Sequence, residues 1–591
     1  MILNDYVCKA CGYIEKDGNT DYVLVIPNDP LNYETVASLE ICYFFEKSTG
    51  AKINVVSEDG ANGKKIYLGN CVSCDQFKKG QDYQSLNEEG FIIKTYEGNV
   101  YIAGKSERGT LFGAYKFLEK IINYRYYAID CIKYDKKQEI EFLEFDYAEM
   151  PDIEQRTLGF YETFKVEQDS RFLPHLNRLR LARTLYTDWI FPAHSYFQIL
   201  PKEKYFDKNR DYYSPDGQNL CLSNLSMRDE FFENLKTIIE NNKGEGIMLG
   251  QEDNFEFCNC PKCIKRIEED GTPTGVMMEF SNDIARRVRN WLNKKHPTRK
   301  LHISTFAYNS TAFPPVKKDA NSGEYVPLKV EYVAEDNLSV MVVPRNPAQS
   351  KSWFDEEYNL RIKEQLLGWK AITKKMRMWT YCVNYDHFMI NFPNIYALKE
   401  NYTIFKDLGG IYMFDQGSTN FSNPTFDFLR QFLQSNLLWD TSLSTDDLID
   451  EFMQAYYMEE APKMKEYFVK VFTRWEEIER KFGVQSYTGG GSTYYLRKDF
   501  WDKKFIDECL DLFREMRGDI ERFATIEDWD KYVKLKKRKL SERIAIRYLL
   551  LNLYGNHFGE DLAVKLKYFH RDCNICGVKA TTEGGEPIEI C

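Results

Sequence analysis

Gln251, Glu252, Asp253 and Asn254 stand in succession directly after a short apolar run, Gly246-Ile-Met-Leu, and the turn glycine Gly250. A carboxylic acid at the end of a buried strand is suited to proton transfer, because partial desolvation raises its pKa towards neutrality. Glu252 is the candidate proton donor, with Phe255 and Phe257 adding apolar surroundings. The competing reading is an acidic loop after a core strand. Shortly afterwards the chain reads Cys258-Asn-Cys260-Pro-Lys-Cys263. Thiolates at this spacing hold one tetrahedral zinc ion if a fourth ligand arrives from elsewhere, a structural zinc that would stiffen the loop beside Glu252. The alternative is reduced, partly buried thiols. No cofactor is required for catalysis on this reading, since three thiolates weaken Lewis acidity and His-x-x-x-His spacing is absent. Cys8/Cys11 and Cys573/Cys576 are similar half-sites without a second half.

Such residues need a frame. Apolar strand candidates at 157–161, 179–185, 246–249, 301–306, 338–343, 376–381 and 410–414 are separated in several places by helical patterns at 228–241, 277–293 and 357–374. That alternation predicts a central (β/α)8 TIM-like barrel over residues 151–430, with closure inferred from a count one strand short of eight. The C-terminal ends of barrel strands carry reactive groups, and here those ends offer Tyr308, Asn309, Arg345, Asn346, Trp379 to Asp386, Asp415 and Gln416. Trp379 and Tyr381 alternate on one strand and project to the same side, where they could wall a sugar pocket. His194, Gln251, Asn384, Tyr385, Asp386 and Asp415 are further substrate-binding candidates by position.

The flanks read differently. Residues 1–150 alternate strand signals at 21–27, 52–56, 65–68, 90–95 and 99–103 with a helix at 33–49, an N-terminal α/β domain. The glycine turn at Gly104 opens an amphipathic helix but lacks the Walker spacing, and is assigned to packing. Beyond 430 the patterns at 445–457, 461–482, 503–523 and 531–553 predict a helical C-terminal domain, residues 431–591. The whole is an α/β protein of three domains.

A formal net charge of -11 over 591 residues argues against nucleic acid as a partner. No apolar run is long enough to span a bilayer, so no membrane partner is expected. No basic-then-apolar leader is visible, which gives a cytoplasmic expectation, and an odd number of cysteines, 15, fits reduced thiols better than a disulfide framework. Aromatic residues make up 15% of the chain, many in loop-like segments, which suits a glycan or glycopeptide substrate. The oligomeric state is unknown from sequence.

One ordered set of motifs carries a family resemblance. Arg108-Gly-Thr-Leu-Phe-Gly-Ala-Tyr comes first, then His194-Ser-Tyr-Phe-Gln-Ile-Leu-Pro-Lys-Glu-Lys-Tyr-Phe, then the Gln251-Glu-Asp-Asn and Cys258-Asn-Cys-Pro-Lys-Cys segment. Trp379-Thr-Tyr, Phe392-Pro-Asn, Leu438-Trp-Asp, Glu451-Phe and Tyr456-Tyr follow. Together, over about residues 90–470, they resemble the domain-of-unknown-function 4838 proteins, classed as glycoside hydrolase family 163. The resemblance implies an N-terminal domain like those preceding family 20 hexosaminidase and α-glucuronidase barrels, and a (β/α)8 catalytic domain. It implies an endo-β-N-acetylglucosaminidase that cuts the chitobiose core of N-glycans, retaining configuration with help from the substrate's 2-acetamido group. In that chemistry Glu252 is the general acid/base and Asp253 orients the acetamido group, with Asp386 or Asp415 as alternatives. The competing expectations are an exo-acting glycosidase, α-glucuronidase-like or hexosaminidase-like, and a non-catalytic glycan-binding protein.

Overall fold

The computed structural model describes residues 1–344, 346–487, 492–583, 585 and 588. Arg345, one of the predicted strand-end residues, lies outside the described residues. The chain opens with a seven-stranded mixed sheet built from β1 (Ile2–Lys16), β2 (Tyr22–Ile26), β3 (Asn54–Ser57), β4 (Lys64–Leu68), β5 (Phe91–Tyr96), β6 (Asn99–Gly104) and β9 (Glu139–Glu149), in the order β1-β9-β5-β6-β4-β2-β3. A hairpin of β7 (Arg125–Ala128) and β8 (Cys131–Lys133) stands apart from it. The sheet buries both faces. Leu24, Ile66, Ile93 and Ile102 pack with Ile41, Phe44 and Leu118 of the helices Asn32–Thr49 and Glu107–Ile122, while Val25, Tyr67, Ile92 and Tyr101 form a second layer behind. Gly104 ends β6 against the first turn of the second helix, where a Cβ would fall 2.1 Å from the Thr110 nitrogen. That crossing, capped by Ser106, is a packing device, as the missing Walker spacing indicates.

The second sheet has seven parallel strands: β10 (Gln155–Leu158), β11 (Trp189–Phe191), β12 (Gly246–Leu249), β13 (His302–Ala307), β16 (Leu338–Val342), β17 (Met376–Tyr381) and β18 (Gly410–Gln416). A short antiparallel pair, β14 (Val316–Lys318) with β15 (Tyr325–Pro327), is inserted after β13. The order β10-β18-β17-β16-β13-β12-β11 follows the chain around a curled sheet that begins and ends on β10 and β11. Among the described residues these two do not pair, so the expected eight-stranded closed barrel is corrected to seven strands in an open half-barrel. The seam has a local cause. The apolar run 179–185, expected as a strand, buries Leu179 and Leu181 but carries Arg180 at φ +58°, a left-handed residue that breaks the ladder. The strand forms later, at Trp189, and is only three residues long.

Side chains inside the curl obey the two-residue period of a strand. Trp189, Met248, Phe306, Met341, Tyr412 and Phe414 fill it, while Leu249, Ile303, Met376 and Met413 face the surrounding helices. On β17 the inner face reads Arg377, Trp379, Tyr381 from bottom to top. The Arg377 guanidinium lies 5.1 Å from the Trp189 ring and 5.2 Å from the Tyr412 ring and plugs the floor. Helices Leu225–Asn241, Thr274–Lys295, Leu360–Ile372 and Leu398–Asp407 lie between the strands of this sheet, and after β18 the chain is mainly helical, with Asp427–Trp439, Thr445–Tyr457, Ala461–Phe482, Lys503–Glu521, Trp529–Tyr554 and Asp561–Cys576. No helix among the described residues is long and apolar enough to cross a membrane.

Candidate active site

The turn after β12 sends its two acids in different directions. The Asp253 side chain is exposed, and the Tyr308 hydroxyl donates to its Oδ1 at 2.9 Å. Its charge is felt by Tyr186 and Tyr381, the phenols on either side of Trp379, and together with burial it raises the pKa of both. Glu252 turns towards the segment after β11. Its Oε1 accepts the Phe197 N–H at 3.1 Å, and the carboxyl is half-buried. Burial raises the Glu252 pKa above the ordinary carboxylate value, against the opposing effects of the Phe197 N–H and the charges of His194 and Lys202. One turn thus presents a half-buried carboxyl, its pKa raised by burial, and an exposed one.

His194 stands between them. Its Nδ1 is 2.5 Å from the Gln251 carbonyl oxygen, and its ring centre is 5.6 Å from that of Phe306 and 6.1 Å from that of Tyr308. Trp379 and Tyr381 do share a face, half-buried on the inner aromatic cluster; Trp379 Nε1 donates to Gln416 Oε1 at 2.9 Å. Tyr385 stacks edge-on against Tyr381 with ring centres 5.6 Å apart, and its hydroxyl donates to the Gln416 carbonyl at 3.1 Å.

The remaining predicted contacts are placed elsewhere. Gln251 is buried, with Nε2 donating to the Tyr308 carbonyl at 2.9 Å and Oε1 accepting from Thr311 at 2.8 Å, so it fixes the neighbouring strand end. Asn384 is buried and donates to the Tyr487 carbonyl at 2.9 Å; its Oδ1 accepts the Asp386 N–H at 3.0 Å. The charge of Asp386 is felt by Tyr495 of the helical part. Asp415, a candidate substrate contact by position, lies buried on the outer face of β18. Because Tyr412 and Phe414 face inward, Asp415 faces outward, where it accepts from the Tyr402 hydroxyl at 2.7 Å and Gln434 Nε2 at 2.5 Å. Burial pushes its pKa up to about 6.

Sequence reasoning missed several neighbours of the turn. Asn219, buried, donates to Asn254 Oδ1 at 2.9 Å and the Glu256 carbonyl at 3.0 Å, and its Oδ1 accepts the Glu252 N–H at 3.4 Å. Lys202 stacks its ammonium 4.6 Å from the Phe197 ring centre, beside Glu252. Glu583 comes from the far end of the chain: its N–H donates to the Tyr385 carbonyl at 3.0 Å, and its charge reaches Tyr381. Lys202 lies within the His194 to Phe206 motif, though nothing there marks its role; no motif marks Asn219 or Glu583, which only the fold brings in.

Behind the turn the cysteine cluster gains a fourth member. The sulfurs of Cys221, Cys258, Cys260 and Cys263 all lie within 4.8 Å of one another, and Cys221, absent from the motif, precedes the helix Leu225–Asn241. Cys8 and Cys11 lie on β1, and Cys573 and Cys576 on the last helix; among the described residues neither pair joins a comparable cluster.

Comparison with known proteins supplies four findings. Residues 19–117 match the glycosyl hydrolase family 67 N-terminus. A stretch of 86 residues is 28% identical to a probable α-glucuronidase A from Aspergillus terreus, covering 14% of this chain and 10% of that protein, so the match spans a small part of the relative's length. The solved structure of a family GH115 4-O-methyl-α-glucuronidase with specificity for decorated arabinogalactans superposes with a TM-score of 0.57 at 12% identity, covering 96% of this chain and 76% of that one, a likeness of fold. Residues 126–470, more than half of the chain, match the domain of unknown function DUF4838, and the chain belongs to that family.

Proposed function

We propose that this chain is a glycoside hydrolase that removes a terminal sugar acid, with its reaction centre at the Glu252–Asp253 turn. The observation that carries the reading is one strand end presenting two carboxyl groups in unlike surroundings, beside an aromatic wall. Glycoside cleavage needs a carboxylic acid that keeps its proton and a second group that bears the positive charge growing at the anomeric carbon. Glu252, half-buried and with its pKa raised by burial, protonates the leaving oxygen. Asp253, exposed and oriented by the Tyr308 hydroxyl, faces the sugar ring against Trp379 and Tyr381. Catalysis is assigned to residues 151–430, between the flanking divisions 1–150 and 431–591.

The preference for a terminal uronic acid rests on two supports. Lys202 places a positive charge beside the acid, and the His194 ring lies next to it, a setting suited to a substrate carboxylate. The match to the family 67 N-terminus, the α-glucuronidase relative and the GH115 likeness point the same way. None of them supports the endo-β-N-acetylglucosaminidase activity expected from the resemblance, so the exo-acting reading takes its place. Mass spectrometry after incubation with an α-glucuronosyl oligosaccharide and, separately, with an N-glycopeptide decides between them. Free glucuronic acid is the expected product. A peptide left carrying a single N-acetylglucosamine would restore the endo reading, and saturable binding without product would make the chain a glycan-binding protein.

A further inference from the structure

We propose that Cys221, Cys258, Cys260 and Cys263 bind one zinc ion, which clamps the loop behind the Glu252–Asp253 turn to the segment leading into the helix Leu225–Asn241. The argument starts from distance. A tetrahedral zinc with Zn–S bonds near 2.3 Å separates its sulfurs by roughly 3.8 Å. Cys221 Sγ lies 3.6 Å from Cys260 Sγ and 4.0 Å from Cys263 Sγ, and the full set falls within 4.8 Å. A disulfide needs about 2.0 Å, and all four residues are free cysteines. Four sulfurs at one ion's edge length, drawn from two separate segments, form a complete ligand set, whereas the sequence motif alone supplies three.

The surroundings are those of a thiolate site. Cys258 and Cys263 are fully buried and Cys221 nearly so, in a small cluster with Phe257. The Ser223 hydroxyl lies 3.1 Å from Cys263 Sγ, within reach to donate to a metal-bound sulfur. Pro261 begins the helix Pro261–Asp270, so Cys260 and Cys263 sit at its entry, where N–H groups and the helix dipole also favour negative sulfur. Four soft ligands in a closed set leave no open coordination position. The ion is therefore structural, outside the proposed hydrolysis.

Metal analysis of the full chain, purified in reducing buffer and dialysed without chelator, tests this directly. One zinc per chain is expected, falling to about a tenth or less in Cys221→Ser, while Cys573→Ser, which alters a buried cysteine elsewhere, keeps it. If Cys221→Ser fails to fold, titration of the native wild type with a mercurial thiol reagent provides the second reading: zinc should leave in step with four thiols, and exchange with cobalt should give the visible bands of a tetrahedral thiolate site. Metal-free protein should become sensitive to proteolysis between Asn219 and Cys263. Protein without zinc whose four thiols react freely, iron in its place, or zinc retained in Cys221→Ser would each overturn the proposal.

Discussion

Replacing Glu542 with Gln should abolish one pH effect on stability, so that the difference between variant and wild type changes sign with pH. Glu542 lies on the helix Trp529–Tyr554, fully inside the protein, where it accepts the Phe426 N–H at 3.0 Å and the Tyr457 hydroxyl at 3.1 Å, tying the helical part to the segment leading from β18. Burial pushes its pKa up to about 7, with these two donors and Arg430 acting in opposition. Asp427 and Glu162 share the enclosure, and burial raises both of them as well. A carboxyl whose folded pKa exceeds its unfolded value of about 4.3 binds more protons in the folded state, so stability is lost as pH rises between those two values. From about pH 5 to pH 8 the loss at Glu542 alone amounts to roughly 2 to 3 kcal/mol. Glutamine does not titrate, and it can still accept from Phe426. The thermal midpoint of Glu542→Gln should therefore lie at or below that of wild type near pH 5 and above it near pH 8. A difference between the two proteins that is the same at both pH values would refute the reasoning.

Two other substitutions probe the frame and the site. Glu89 accepts Arg156 Nη2 at 2.5 Å and Arg108 Nε at 2.9 Å, joining the first sheet to β10, and Glu89→Ala would strand a fully buried guanidinium; a loss of about 3 to 5 kcal/mol is expected, read as a lower midpoint in thermal unfolding. An unchanged midpoint would show that the pair contributes nothing to docking. Tyr308→Phe removes the hydroxyl on Asp253 and should lower kcat/KM on the uronoside substrate by about tenfold, roughly 1.4 kcal/mol of transition-state stabilisation; because Asp253 is exposed in the free protein, water replaces the lost donor there and the thermal midpoint should move little. Equal kcat/KM would remove Tyr308 from the site.

The legible parts of the fold were those written in local period. β12 and β17 fall where their apolar runs place them, and so do the helices Thr445–Tyr457 and Ala461–Phe482. β1 was not legible, because its residues are mostly exposed or half-buried and its partner lies more than a hundred residues away; β9 does bury Ile140, Phe142, Phe145 and Tyr147 among charged residues, a strand period that sequence reasoning passed over. The run 179–185 misled because buried leucines look alike in a strand and in a loop that packs under a sheet. At the site, the parity of Trp379 and Tyr381 could be read because both lie on one strand. The outward turn of Asp415 could not, since a parallel strand buried on both faces carries no mark of which face is inner. Cys221 and Glu583 reach the site through long-range topology, which spacing does not record.

The most direct test of the account compares wild type with Glu252→Gln on two α-glucuronides, one with an alkyl leaving group and one with a nitrophenyl leaving group. Proton donation matters only where the leaving oxygen is basic. The account predicts a loss of kcat of about 10²-fold or more on the alkyl glucuronide and a much smaller loss on the nitrophenyl one. Equal losses on both substrates, or full turnover of the alkyl glucuronide by Glu252→Gln, would contradict the assignment of Glu252 as the acid.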